Sequence, residues 1–198
     1  KYTTLNSIKF RNVGPGIMSG RVVDVDVNPN DPTEFYVAYA TGGLWYTKNN
    51  GQSLVPVFDK ENVFGIGDIA VNWKDGIIWI GTGEANSSRS SYSGLGVYKS
   101  VDKGKTWEHL GLIESHHIGK INLHPTDKNI AWVAVLGHLY SPSKERGIYK
   151  TTDGGKTWSK IRGGLPTAEL GRIGLVMAPS DPKTIYTIIE AADKQGGI

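Results

Sequence analysis

The chain has 198 residues, 38% of them hydrophobic and 21% charged, with a formal net charge of +3 and no cysteine. This is a globular rather than a disordered composition, and the absence of Cys excludes disulfides, thiolate metal sites and a cysteine nucleophile. The basic residues are scattered, which gives no nucleic-acid footprint, and no apolar run approaches the roughly 20 residues of a membrane span.

The 26 Gly and 9 Pro, with 6 Trp and 9 Tyr against 2 Met, describe many turns between aromatic-rich strands. From Val25 the chain reads "VDVNPNDPTEFYVAY", two alternating runs around a Pro/Asp turn, which predicts a β-hairpin. A strand beginning at Gly43 follows, "GLWYTKNNGQSL". The same order then recurs. The hairpin returns in degenerate form as "IAVNWKDGIIWIGT", then as "INLHPTDKNIAWVAV" and "LVMAPSDPKTIYTII". The following strand returns as "GVYKSVDKGKTW" from Gly96 and "GIYKTTDGGKTW" from Gly147. Gly197 and Ile198 begin a fourth copy. The period is about 50 residues, which marks a repeat architecture. In the second unit the predicted strands are Ile66–Asn72, Ile77–Thr82, Gly96–Ser100 and Trp107–Leu110.

A four-stranded antiparallel unit at this period is a propeller blade. The fold class is therefore all-β: a partial β-propeller with three full blades and the start of a fourth. The approximate units are 20–58, 65–112, 117–163 and an incomplete 172–198, all part of one domain spanning 1–198. The stretch "SIKFRNVGPGIMSGRV" parallels "KTWEHLGLIESHHIGKI", so residues 1–13 are expected to form an outer strand that closes the last blade. Closed propellers hold about 4–8 blades, and the chain opens on Lys1 without a leader pattern. The natural polypeptide is therefore expected to continue.

The repeated turn follows the third strand of each unit. It holds Ser100, Asp102, Gly104, Thr106 and Trp107 in one copy and Thr151, Asp153, Gly155, Thr157 and Trp158 in another. Hydroxyl and carboxylate side chains bond the backbone of a tight turn, glycine supplies positive φ, and the tryptophan is expected to plug the turn against its blade. The role is structural. The first copy, from Thr47 to Leu54, carries Asn49 and Leu54 where the others carry Asp and Trp.

These two full copies resemble Asp boxes, the BNR repeat of bacterial sialidases, xyloglucanases and the sortilin propeller. "RNVGPGIMSGRV", "GTGEANSSRSSYSGLGVYKS" and "HIGKINLHP" extend the resemblance over essentially the whole chain, to exported bacterial sortilin-like or glycosyl-hydrolase-like BNR proteins. The resemblance implies an exported or cell-surface bacterial setting, and a place in a larger surface or secretion assembly. It also implies a catalytic Asp before the "GG" of the first unit in xyloglucanases, where this chain has Ala40. Sortilin receptors carry a Cys-rich module after the propeller, and this chain has no Cys.

Loop length points to one face of the propeller. The long loops, from Gly83 to Leu95 and from Gly137 to Arg146, share a side with the connection Glu114–His117. That face gathers the candidate ligand residues Arg21, Glu84, Asn86, Arg89, Tyr92, His116, His117, His138, Tyr140 and Arg146, with Lys144 and Glu145. Aromatics beside amides and charges suit a sugar, peptide or protein ligand. A loop that merely holds its own backbone would also use such residues.

Glu84 is the one candidate catalytic acid. A glycosidase would need a second carboxylate at roughly 5–9.5 Å, and the spacing places neither Glu114 nor Glu145 opposite it. Its expected role is to accept hydrogen bonds from loop backbone. Gly20-Arg21, Gly119-Lys120 and Gly171-Arg172 read as a recurring basic position, with Gly67-Asp68 as the exception. Such a ring could receive an anion or pair with Asp24, Asp68 or Glu114. Adjacent His116 and His117 point opposite ways in a strand and cannot chelate one ion. No metal and no cofactor are implied. The reading is a binding or scaffold module, with a glycoside hydrolase completed by residues outside this chain as the alternative.

Overall fold

The computed structural model describes residues 20–88, 91–178 and 180–197. The closing strand expected over residues 1–13 and the candidate Arg89 lie outside the described residues. The first sheet contains β1 (Val22–Val27), β2 (Phe35–Tyr39), β3 (Gly43–Thr47) and β4 (Val55–Pro56). The second contains β5 (Ile66–Asn72), β6 (Ile77–Thr82), β7 (Val97–Ser100) and β8 (Glu108–His109). The third contains β9 (Ile118–Leu123), β10 (Ala131–Val135), β11 (Gly147–Thr151) and β12 (Ser159–Lys160). A hairpin of β13 (Leu170–Ala178) and β14 (Asp181–Ala191) follows. Within each four-stranded sheet the strands lie in chain order and pair antiparallel. The architecture is a partial β-propeller.

Side-chain alternation explains the stacking. Successive strand residues face opposite ways, so the second strand of each sheet must be apolar on both faces. Ile78 and Ile80 of β6 pack toward the first sheet with Tyr36, Leu44 and Phe58. Ile77 and Trp79 of the same strand pack toward the third sheet with Ile121, Val133 and Val135. Trp132 and Ala134 of β10 in turn meet Ile173, Leu175 and Ile189 of the last hairpin. Burying one such aliphatic side chain is worth about 1.5–3 kcal/mol.

The inner strands are also tied by polar side chains. Asp24 and Asp26 of β1 accept the backbone N–H groups of Ile69 (3.3 Å) and Val71 (2.9 Å) on β5, and Asp26 also accepts Trp73 Nε1 at 2.6 Å. Asp68 of β5 accepts Ile121 N of β9 at 2.7 Å and Lys120 Nζ at 2.7 Å. Asn122 of β9 donates to Leu175 O of β13 at 2.8 Å. Each sheet thus satisfies an edge of its neighbour that would otherwise lack partners.

The repeated turn is closed by its own side chains. Ser100 Oγ and Thr151 Oγ1 accept the N–H of Gly104 (2.8 Å) and Gly155 (2.9 Å). Asp102 and Asp153 accept from the amide and hydroxyl of Thr106 and Thr157. The tryptophans differ from expectation, because they reach the preceding sheet rather than plugging their own. Trp107 Nε1 donates to Val57 O at 2.6 Å, and its ring stands edge-on to Phe58 with centroids 5.0 Å apart. Trp158 Nε1 donates to Leu110 O at 2.7 Å and stands edge-on to Trp79. Gly155 permits this approach, since a Cβ there would lie 2.3 Å from Leu110 Cδ1.

The degenerate first copy keeps the geometry. Asn49 Oδ1 accepts Ser53 N at 3.0 Å, and its amide donates to Ser53 Oγ at 2.9 Å. Asp102→Asn is therefore expected to leave the melting temperature nearly unchanged at neutral pH, while Asp102→Ala lowers it by a few degrees. Thr106 holds the Asp102 carboxyl down, at about 2. A folded-state value below the unfolded one contributes stability that is present above the unfolded pKa and lost as pH falls through the folded one. Melting curves between neutral pH and about pH 2 should accordingly show a shallower acid loss for Asp102→Asn than for the wild type. Equal acid losses would contradict this role.

Candidate functional site

The β6–β7 loop lies at the centre of the long-loop face. Gly83 N donates to Gly65 O at 2.9 Å, on the connection from the first sheet. Gly83 O accepts Ile118 N at 3.2 Å, and Gly94 N donates to His116 O at 2.5 Å, on the connection to the third sheet. Thr82 Oγ1 closes the base of the loop, donating to Gly96 O at 2.6 Å and accepting Leu95 N at 2.8 Å. One loop therefore joins the ends of three sheets.

Glu84 is fully buried at 0% exposure. Its Oε2 accepts Arg21 Nη2 at 2.6 Å and Ser91 Oγ at 2.5 Å, so its partners are side chains rather than the loop backbone expected. Its Oε1 has no hydrogen-bond partner among the described residues. Its backbone oxygen accepts from His117 Nδ1 at 2.8 Å. A carbonyl only accepts, so His117 carries its proton on Nδ1. Burial pushes the His117 pKa down, against that hydrogen bond.

His116 and His117 diverge. His117 is buried under Glu84, while His116 stacks on His138 with ring centroids 3.9 Å apart and lies 3.6 Å from Glu114 Oε2. They lie in the connection ahead of β9, next to a short 3-10 turn over Ile113–Ser115, rather than in a regular strand. Among the described residues no group of His, Cys, Asp or Glu is placed to hold a metal ion.

Arg146 is turned inward. Its guanidinium donates to the carbonyls of Leu136 (2.6 Å), Leu170 (2.5 Å), Ser141 (3.2 Å) and His138, so it brackets its loop against the last hairpin. The basic positions do not form the regular ring read from the sequence. Register aligns Asp24 with Asp68 and Lys120, each just past a β-bulge, whereas Arg21 precedes β1. The bulge adds a residue that linear alignment cannot see. Lys120 makes the cross-sheet pair, with Asp68 at 2.7 Å and Asp24 at 3.8 Å.

The exposed part of the face is aromatic. Tyr92 and Phe64 are each 53% exposed and meet edge-on with centroids 5.6 Å apart. Tyr140 is 76% exposed and donates its hydroxyl to Ser88 O at 3.1 Å. Ser88 also contacts Arg21 and Ser91, which links Tyr140 to the Glu84 cluster and the Tyr92 loop. Asn86 is exposed beside them. Phe64 was missed as a site residue. Strand register makes it the equivalent of His116, a position already on the candidate face.

Stacked four-stranded sheets with loops gathered at one end define a β-propeller protein. Comparison with solved structures agrees at the level of fold. An ancestral GH74 enzyme matches with a TM-score of 0.67 at 20% identity, over 91% of this chain and 23% of that one. The GH74 xyloglucanase from Xanthomonas campestris matches at 0.59 and 18% identity, over 93% and 29%. YCF48 bound to a D1 peptide matches at 0.54 and 16%, over 82% and 46%. No protein-family model matches the chain. The vacuolar protein sorting/targeting protein 10 of Colletotrichum graminicola is 34% identical over 70 residues, 35% of this chain and 4% of that protein. That of Fusarium vanettenii is 29% identical over 89 residues, 45% of this chain and 5% of that protein. The chain thus spans a small part of these curated relatives, and less than half of each of the solved chains named.

Proposed function

We propose that the protein is a β-propeller binding module that takes a peptide, protein or glycan on its long-loop face. The observation that carries this reading is the exposed aromatic rim of Phe64, Tyr92 and Tyr140 on a scaffold that pins the loops from beneath. Exposed rings give large contact area at low entropic cost. Glu84 supports the same reading, because its carboxylate is shut away from solvent and held by Arg21 and Ser91. A general acid must reach the substrate oxygen it protonates. Ala40, where the resemblance implies a catalytic Asp, is buried and carries no proton to give. Among the neighbours, YCF48 is described bound to a peptide and another is described as a nutrient-binding protein from Bacteroides thetaiotaomicron. An exported or cell-surface setting belongs to the same proposal, drawn from the resemblance. No helix of the described residues is long and apolar enough to cross a membrane.

The second reading is a glycoside hydrolase completed by residues outside this chain, favoured by the GH74 neighbours. Two assays separate the readings. Tyr92→Ala with Tyr140→Ala should weaken ligand capture at least tenfold, about 1.4 kcal/mol, with no drop in melting temperature. Unchanged capture would remove the loop face from consideration. Release of reducing sugar from xyloglucan that is abolished by Glu84→Gln would establish the hydrolase instead.

A further inference from the structure

A cavity of about 480 Å³ lies between the third sheet and the last hairpin, lined by Trp132, Ile148, Lys150, Ile161, Leu175 and Ile185. The two sheet pairs before it show what such a space receives. Between the first and second sheets it holds the repeated turn of the second, whose Trp107 donates to Val57 O at 2.6 Å. Between the second and third sheets it holds the turn of the third. There Trp158 donates to Leu110 O at 2.7 Å and stands edge-on to Trp79. Val57, Leu110 and Ile161 are equivalent, because their N–H groups donate to Leu44, Val97 and Ile148 in turn. Strand register likewise equates Tyr36, Trp79 and Trp132, and their partners Tyr46, Lys99 and Lys150. The cavity is thus walled by the residues that receive a turn tryptophan in both preceding pairs.

Two independent observations agree. Tyr36 Oη donates to Lys103 O at 3.5 Å and Lys99 Nζ to Gly154 O at 3.1 Å, each the carbonyl just past the turn aspartate. Lys150 stands in the same place on the third sheet. Its ammonium lies 5.2 Å over the Trp132 ring and has no hydrogen-bond acceptor among the described residues. The second observation is register. Gly197 and Ile189 exchange backbone hydrogen bonds at 3.0 and 3.1 Å, which repeats the pairing of Gly147 with Val135 and of Gly43 with Tyr39. A strand entering beside β14 in this register carries its closing turn to the cavity.

We infer that the cavity is the docking site of one further copy of the repeated turn, borne by third and fourth strands that complete the last hairpin as a sheet. Its tryptophan donates to Ile161 O beside Trp132, and its main chain accepts the Lys150 ammonium. Glycine is required at the position of Gly155, where a Cβ would lie 2.3 Å from Leu110 Cδ1 and 3.1 Å from the Trp79 ring. The occupant is scaffold, so the inference stands apart from the loop-face reading.

A synthetic peptide with the sequence of residues 147–161, GIYKTTDGGKTWSKI, titrated calorimetrically into the intact protein, tests it. The peptide should bind at sub-millimolar concentration and raise the melting temperature. Peptides carrying Gly155→Val or Trp158→Ala should each bind at least tenfold more weakly, and these changes leave the protein's own folding untouched. In the protein, Lys150→Met should weaken binding several-fold, whereas Tyr92→Ala with Tyr140→Ala should not alter it. No binding at millimolar concentration, or equal binding of the two altered peptides, would overturn the inference. So would loss of binding in the Tyr92 and Tyr140 variant, which would move the peptide to the loop face. Self-association of the protein that the peptide fails to reverse, seen by sedimentation, would assign the cavity to a second copy and overturn it too.

Discussion

Asp68→Ala is expected to destabilise the protein by about 3 kcal/mol, because it strips a buried backbone donor and a cation of their acceptor at once. Asp68 is 4% exposed and links the second sheet to the third through Ile121 N and Lys120 Nζ. The Lys120 side chain is 38% exposed and recovers part of its hydration when its partner is lost. Ile121 lies in the buried core between the sheets. The amide is therefore the larger part of the loss. Thermal or urea unfolding measures it, and a change well under 1 kcal/mol would mean that the sheets are held by apolar contact alone.

The same carboxyl carries a pH signature. Burial pushes its pKa up from 3.8 to about 8, against the opposing pull of Lys120. A folded-state value above the unfolded one contributes stability that is complete below the unfolded pKa and lost as pH rises through the folded one. The relevant window is thus from about pH 4 to pH 8. Asp68→Asn keeps an acceptor for Ile121 N and does not ionise, so its melting temperature should decline less across that window. A steeper decline than in the wild type would reverse the assignment.

Gly83→Ala has the other large expected effect. Gly83 sits at φ +84, and a Cβ there would lie 1.9 Å from His116 O and 2.7 Å from Gly94 N. Both obstacles are backbone and belong to the connections that the β6–β7 loop holds together. Gly111 supplies the matched control, with φ +83 and nothing within 4 Å of a Cβ. Gly111→Ala should cost only the left-handed strain, about 1–2 kcal/mol. Gly83→Ala should cost on the order of 4 kcal/mol or prevent folding. Any stable Gly83→Ala protein should also lose ligand capture, since the loop that carries Tyr92 must move. Equal effects of the two substitutions would mean that the loop junction is looser than its geometry implies.

The fold was legible because its signals are local. Alternation on either side of a degenerate turn gave β5 and β6 at their observed bounds, Ile66–Asn72 and Ile77–Thr82. The turn hydroxyls and carboxylates act within four residues of one another, so their chemistry could be read from spacing. The site was less legible because its contacts are distant in the chain. Arg21 meets Glu84 across 63 residues and Tyr140 meets Ser88 across 52. Such pairings exist only once the sheets stack. The Trp107 and Trp158 contacts failed for the same reason, since the acceptors lie on the preceding sheet, 50 and 48 residues away.

Under the proposed function, ligand meets this protein on the loop face and not on the turn face or the open sheet edges. Amide chemical-shift mapping of isotope-labelled protein, titrated with candidate peptides and with a xyloglucan oligosaccharide, measures this directly. Perturbations should cluster at Phe64, Tyr92, the 112–116 connection and the 138–145 loop. Shifts centred on the repeated turns around Asp102 and Asp153, or on the exposed face of β14 around Tyr186 and Ile188, would contradict it.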